Sequence, residues 1–200
     1  MVSTIIIASG NPDKAAEIKT IFGKHGLRIK TLDEFENIPN VVEDGNSLYE
    51  NALKKARIIY DTLGKPVIAD DTGLEVDSLN GAPGIYSARY AGEDASYEDN
   101  VKKLLNELNS IPQEQRTARF RTVAVYYDGK QDIRGEGSIE GRITTVPRGE
   151  GGFGYDAVFE ALETRQTFGE MTGDAKHAIS HRGRALRNLY ISLQQQHIIS

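Results

Sequence analysis

Three short segments carry residue types suited to phosphate and metal chemistry. The first is Ser9-Gly10-Asn11-Pro12-Asp13-Lys14, between a β-branched run and a helical pattern. Backbone N–H groups at a helix start favour anions, and glycine lets a phosphate come close. Lys14 would add a point charge and Asn11 an amide. The same segment also reads as an ordinary strand-to-helix turn capped by Asp13. The second is Asp70-Asp71-Thr72-Gly73, at the end of a short strand. Neighbouring strand residues point in roughly opposite directions, so one carboxylate can face a cleft while the other makes a structural contact. A carboxylate there can hold Mg²⁺ or activate water. An Asx-capped turn is the plain alternative. The third is Glu43-Asp44-Gly45, within residues 31–50, which hold six acids and no Lys or Arg. That run suits either a metal site or a solvated face.

A basic counterpart lies near the C-terminus. Residues 165–187 hold five Lys or Arg against two acids, among them Lys176 and Arg182. These two are close enough in sequence for one bend to aim both at one anion. They could equally be cations at a helix end. Phe153 and Tyr155, flanked by glycines, could stack on a base, or could plug the core beneath a loop. Together the segments meet the needs of triphosphate chemistry: a phosphate-cradling turn, carboxylates for Mg²⁺, cations, and an aromatic with an acid for the base. Other sites are excluded. Gly149-Glu-Gly151-Gly152-Phe-Gly154 fits G-x-G-x-x-G, but the following residues 155–159 read as strand where a dinucleotide site needs a helix. There is no Walker A or His-Glu-x-x-His sequence, and four scattered histidines make no His-rich metal site.

The elements that must position these residues follow from periodicity. Thr4 to Ala8 predicts a buried strand, and the pattern from Lys14 predicts a helix with Ile18, Ile21 and Phe22 inward, Lys19 and Lys24 outward and Gly26 as its stop. Leu27 to Thr31 predicts a second strand. The clearest helix runs from Ser47 to Leu63, with Leu48, Ala52, Ala56, Ile59 and Leu63 on one face and Gly64 closing it. Val67 to Ala69 predicts a strand, Asn80 to Gly92 an ordered loop, and Ser96 to Leu108 a helix capped by Ser96. Strands follow at Arg119 to Tyr127 and Gln131 to Val146, joined by an Asp128-Gly129 hairpin, and the glycines of the second predict bulges. Arg148 to Tyr155 is a glycine-rich loop, Ala157 to Phe159 a short strand, and Ala185 to Gln195 a helix. The order is mixed α/β around one sheet.

Composition bounds the answer. With 200 residues the chain can bury a core without staples, and with no cysteine it has no disulfide, thiolate nucleophile or Cys-type metal site. Lys and Arg number 24 against 29 Asp and Glu, a net charge of −5, which argues against a general nucleic-acid binder. A hydrophobic content of 38% with 26% charged residues fits a globular protein. The apolar run at the N-terminus is too short and lacks the basic flank of a signal peptide, and no window spans a membrane. A cytoplasmic location is expected.

The ordered landmarks are Ser9-Gly-Asn-x-x-Lys14-x-x-Glu17, Glu50-Asn-Ala52, Ala69-Asp-Asp-Thr-Gly73, Gly81-Ala-Pro-Gly-Ile-Tyr-Ser-Ala-Arg-Tyr90, Gly151-Gly-Phe-Gly-Tyr-Asp156 and Ser180-His-Arg-Gly183. On these the chain resembles, over nearly its whole length, the non-standard purine nucleoside triphosphate pyrophosphatases, the inosine/xanthosine triphosphatase or Ham1-like family. The resemblance implies one domain over residues 1–200: an elongated mixed β-sheet flanked by helices, in two lobes with an active-site cleft between them. It also implies a homodimer, a need for Mg²⁺, and hydrolysis of inosine, deoxyinosine and xanthosine triphosphates to monophosphate and pyrophosphate. By position, Ser9, Gly10, Asn11, Pro12, Asp13 and Lys14 match the triphosphate turn. Asp71 matches the general base and metal ligand, and Glu43 the second metal ligand, with Asp44 as its alternative. Thr72 matches a substrate contact, Phe153, Gly154, Tyr155 and Asp156 the base loop, and Lys176, His181 and Arg182 the remaining contacts. A pyrophosphatase of other modified nucleotides, or a non-catalytic nucleotide binder, are alternatives on the same scaffold.

Overall fold

The computed structural model describes residues 4–23 and 27–199; the expected helix stop at Gly26 and the outward Lys24 lie outside the described residues. In chain order the elements are β1 (Thr4–Ile7), α1 (Pro12–Phe22), β2 (Arg28–Thr31), α2 (Leu48–Leu63), β3 (Val67–Val76), β4 (Pro83–Gly84), α3 (Tyr97–Glu107), β5 (Thr117–Tyr127), β6 (Asp132–Ile143), β7 (Phe159–Ala161), α4 (Gly173–Ile179) and α5 (His181–Gln195). The strands form one mixed sheet in the order β2-β1-β3-β5-β6-β7, with β4 paired to β3. β1 runs parallel to β2 and β3, whereas β4 is antiparallel to β3 and β7 to β6. The fold is α/β, a mixed sheet flanked by helices. No helix among the described residues is long and apolar enough to cross a membrane.

The chain forms two compact units. The first comprises Met1–Asp71, Thr122–Gly137 and His181–Ser200. Its core joins Ile5 and Ile7 of β1 with Ala15, Ile18 and Phe22 of α1 and Ala185, Leu186, Leu189 and Leu193 of α5. Ile6 points to the opposite face of β1 and is also fully buried. A strand buried on both faces reads as the continuous apolar run that Thr4 to Ala8 shows. The second unit comprises Thr72–Arg121 and Ser138–Ser180. Its core gathers Leu74, Val76, Leu104, Leu108, Phe120, Ile139, Phe159 and Phe168.

Local chemistry explains most boundaries. Ser47 caps α2 by accepting from Glu50 N, and Gly64 ends it at φ 61°, the left-handed conformation glycine adopts without steric cost. Ser96 and Asp99 form a reciprocal capping box on α3. Asp128 Oδ1 accepts from Lys130 N and Gln131 N, fixing the β5–β6 turn.

Several boundaries differ from the sequence expectation. β3 does not stop at Ala69 but runs on to Val76, so Asp70 and Asp71 lie inside a strand. Residues 155–158 are turns and the strand begins at Phe159; no helix follows the glycine motif, so the dinucleotide reading still fails. α1 begins at Pro12 and its cap is Asn11, not Asp13. α4 was not expected, because its only buried residue is Lys176 and no apolar period marks it.

β6 is one strand from Asp132 to Ile143. Its glycines serve close packing. A Cβ at Gly135 would lie 2.2 Å from Ala185 O and 2.3 Å from Leu189 N, and one at Gly137 2.2 Å from His181 O. The obstructing atoms are helix backbone, which cannot rotate aside. Gly135→Ala is expected to destabilise the protein by about 2–3 kcal/mol through overpacking, read as a lower urea midpoint. A variant with an unchanged midpoint would contradict this packing role.

Candidate active site

The turn after β1 is built around Asn11. Its Oδ1 accepts from Asp13 N at 2.9 Å and from Lys14 N at 3.3 Å, while Ser9 Oγ accepts from Asn11 N at 3.2 Å. Pro12 fills the first helical position, where its missing N–H costs nothing. Two N–H groups of the first turn of α1 are therefore held by the Asn11 side chain. Gly10 has open space where a Cβ would stand, so the turn is open to a ligand. Lys14 points back from α1, with Nζ 3.8 Å from Asp70 Oδ2. Burial holds the Lys14 amine below its usual range, and the Asp70 charge offsets this in part.

Asp70 and Asp71 diverge as strand neighbours must. The last β3 residue in register with β1 is Ile68, so both acids sit just beyond the end of the neighbouring strand. Asp70 is fully buried and accepts from Arg182 Nε at 3.1 Å, while Arg182 Nη1 donates to Glu17. Burial would raise the Asp70 carboxyl, but Lys14, Arg182 and Lys55 outweigh it and hold it well below the usual carboxylate range. The cost of burying Arg182 is in turn outweighed by Asp70 and Glu17, which push its guanidinium further up.

Asp71 faces a different set. Asn51 Nδ2 donates to its Oδ2 at 3.0 Å, and Lys55 Nζ stands 4.0 Å from its Oδ1. Burial raises the Asp71 carboxyl above its ordinary value despite the opposing pull of Lys55 and Lys14. Glu43 Oε1 accepts from Lys55 Nζ at 2.6 Å. Asp44 instead pairs with Lys54 at the surface, its side chain 66% exposed. Glu43 is thus the acid that shares a cation with Asp71.

In the second unit, Asp156 organises the glycine-rich loop. Its Oδ2 accepts from Phe153 N and from Lys176 Nζ, each at 2.7 Å. Gly152 and Gly154 take φ 75° and 61° on either side of Phe153, and a Cβ at Gly152 would strike Asp156 Oδ2 at 2.1 Å. The Lys176 ammonium lies 4.6 Å from the centre of the Phe153 ring, a cation–π distance. Phe153 is half-buried, but Tyr155 belongs to the core and donates its hydroxyl to Ser87 O at 2.9 Å. Of the two aromatics, Tyr155 plugs the core; it does not offer a stacking face.

The other expected residues are also placed. Thr72 follows Asp71 on β3 and is half-buried, and His181 opens α5 with 3% exposure. Lys176 pairs with Asp156, and Arg182 with Asp70 and Glu17. Sequence reasoning assigned no role to Asn51, Lys55 or Glu17. Asn51 and Lys55 lie one turn apart on α2, and Asn51 is fully buried among its apolar residues. A buried amide on the apolar face of an amphipathic helix was the available signal.

For a divalent metal the test is the donor set. No group of three or more His, Asp or Glu able to hold an ion forms among the described residues. Glu43, Asp71 and the Asp70 carbonyl nevertheless surround a single cation, the Lys55 ammonium. An all-oxygen set gathered round one positive charge suits a hard ion such as Mg²⁺, which takes one or two carboxylates and completes its shell with water and phosphate.

The comparisons agree over nearly the whole chain. The Ham1 family model matches residues 5–191. A dITP/XTP pyrophosphatase of Geobacillus kaustophilus is 47% identical over 186 residues, 92% of this chain and 91% of that protein. Among solved structures, a HAM1 protein from Coxiella burnetii is 35% identical with a TM-score of 0.87, covering 98% of this chain and 100% of the other. The Staphylococcus aureus Ham1 protein is 38% identical with a TM-score of 0.85, covering 96% and 99%. On the family match over residues 5–191 and these relatives, the chain belongs to the Ham1 family.

Proposed function

We propose that this chain hydrolyses inosine, deoxyinosine and xanthosine triphosphates to the monophosphate and pyrophosphate, removing them from the nucleotide pool. The observation that carries this reading is the Asp71 carboxylate, raised by burial and fixed by Asn51 beside a second acid. The pyrophosphatase names of relatives near 47% identity support it. Asp71 and Glu43 are the residues that would hold Mg²⁺. When bound, Mg²⁺ supplies charge neutralisation on the phosphates and lowers the cost of forming hydroxide.

The chain's own residues then divide the work. Asp71 takes a proton from the attacking water, whose oxygen forms a bond to the α-phosphorus. The bond from that phosphorus to the bridging oxygen breaks, and pyrophosphate leaves with the electron pair. Lys14 and Lys176 offset charge on the phosphates. Asn11 releases the N–H groups of Asp13 and Lys14 to the triphosphate, with Ser9, Gly10 and Pro12 shaping the turn. Thr72, which follows Asp71 on β3, is a substrate contact. Phe153, Gly154 and Asp156 bind the purine, and Tyr155 supports that loop from the core.

N–H groups of His181 and Arg182 donate to the 6-oxo oxygen of the purine and would leave the 6-amino group of adenine facing a donor. An unpaired contact of that kind can discriminate by roughly 10⁴ in favourable cases. Guanine must be excluded at its 2-amino group, with Asp156 and the loop backbone as candidates. The functional form is a homodimer in the cytoplasm, without nucleic-acid partners.

The test is pyrophosphate release across a panel with Mg²⁺. Inosine and xanthosine triphosphates are expected to exceed ATP and GTP by about 10²-fold or more in kcat/KM. Equal values on all four would remove the specificity claim.

A further inference from the structure

A cation already stands in the acidic corner of the first unit. Lys55 Nζ lies 2.6 Å from Glu43 Oε1, 2.6 Å from the Asp70 carbonyl oxygen and 4.0 Å from Asp71 Oδ1. The lysine side chain is largely buried, at 12% exposure.

The two carboxylates have a frame that does not include Lys55. Asn51 Nδ2 donates to Asp71 Oδ2 at 3.0 Å, and Asn51 Oδ1 accepts from Gly45 N at 2.8 Å. Asn51 therefore ties Asp71 to the loop that carries Glu43. A Cβ at Gly45 would stand 2.7 Å from Asn51 Oδ1, so that loop closes tightly on the amide. Oδ2 of Asp71 is engaged by Asn51, and Oδ1 is the oxygen turned towards Lys55. Lys55 reaches it on a flexible four-carbon stem, so the ammonium can move while Asn51 keeps the carboxylate in place.

We propose that Lys55 is the resident counter-cation of the metal pair: it holds the place between Glu43 and Asp71 until a divalent ion displaces it, and so sets how tightly that ion binds. This rests on the pyrophosphatase reading for the identity of the metal pair. Two carboxylates converging without a cation would repel each other, and Lys55 neutralises them before an ion arrives. The same charge competes with the ion. Metal uptake is then an exchange of one cation for another, in which the ammonium gives up Glu43 and the ion takes its place.

The experiment titrates Mg²⁺ by calorimetry into the whole protein without nucleotide. Lys55→Met is expected to bind Mg²⁺ about tenfold more tightly than wild type. Its melting temperature should be lower in metal-free buffer and rise more steeply with added Mg²⁺. Lys55→Arg keeps the competing charge and should bind no more tightly than wild type. In the wild-type protein, the side-chain NMR signal of Lys55 should shift as Mg²⁺ saturates, a readout that does not depend on any variant folding. A folded Lys55→Met that binds no more tightly than wild type would overturn the inference. So would a Lys55 signal unmoved at saturation, or tightening by Lys55→Arg equal to that by Lys55→Met. Pyrophosphate release by wild type tests the parent reading separately. Release with metal affinity indifferent to Lys55 leaves the activity standing and removes only the counter-cation role.

Discussion

Asp71→Asn should lower kcat by about 10²–10⁴-fold, the range for loss of a positioned general base, while KM for inosine triphosphate stays within a few-fold. Asparagine keeps the shape and can still accept from Asn51 Nδ2, now 3.0 Å from Asp71 Oδ2. What it loses is the ability to take a proton and a negative charge facing Lys55. Substrate binding through the Asn11 turn and Lys14, as proposed above, should be left intact.

The stability of this variant separates a functional role from a structural one. Burial raises the Asp71 carboxyl, so the ionised side chain is less favoured in the folded protein than in the unfolded chain. Above that raised value the charge costs folding free energy, and at lower pH the cost disappears. Asp71→Asn should therefore melt at the same temperature or higher at neutral pH. The wild-type rate should fall on acidification, because the base must be deprotonated. A variant with near-normal kcat would remove Asp71 from the chemistry.

Arg182→Met should destabilise the protein by about 3–5 kcal/mol, the range for removing one partner of a buried ion pair. Arg182 is 2% exposed and holds both Asp70 and Glu17. Methionine keeps much of the apolar volume, so the loss isolates the charge. Asp70 would retain Lys14 at 3.8 Å, and Glu17 would lose the guanidinium.

The sign of the pH dependence follows from Asp70. Its carboxyl is held well below the usual range. The stabilisation it contributes is fully present above the unfolded value of about 3.9 and is lost as pH falls from there through the folded value. The gap in urea-unfolding free energy between wild type and Arg182→Met should be widest near pH 7 and shrink towards pH 3. A gap below 1 kcal/mol, or one independent of pH, would contradict the buried network.

The parts of this network were legible in the sequence to different degrees. The turn at Ser9 to Lys14 was visible because Gly, Asn and Pro mark it and a periodic helix follows. α2 was visible because Ser47, the apolar spacing and Gly64 all agree. The reach of β3 was not. Asp-Asp-Thr-Gly carries turn residues, yet the strand continues because β4 pairs it at Leu74 and Glu75 and β5 lies beside it in the sheet. Such pairing is non-local and leaves no trace in the segment itself.

The roles of Asn51, Lys55 and Glu17 were hidden for a related reason. Each is a polar residue whose partner lies on another element, and helical spacing says which face it shares but not what meets it. Gly135 and Gly137 suggested bulges because glycine in a strand has two readings, and only the position of α5 decides between them. Tyr155 was ambiguous between stacking surface and core until Ser87 O was seen to accept its hydroxyl.

The central claim is that water attacks the α-phosphorus of a 6-oxo purine triphosphate. Its most direct test is hydrolysis of xanthosine triphosphate in ¹⁸O-enriched water with Mg²⁺, followed by mass spectrometry of both products. One ¹⁸O is expected in the xanthosine monophosphate and none in the pyrophosphate released with it. Label in the pyrophosphate, or release of orthophosphate and a diphosphate instead, would contradict the claim.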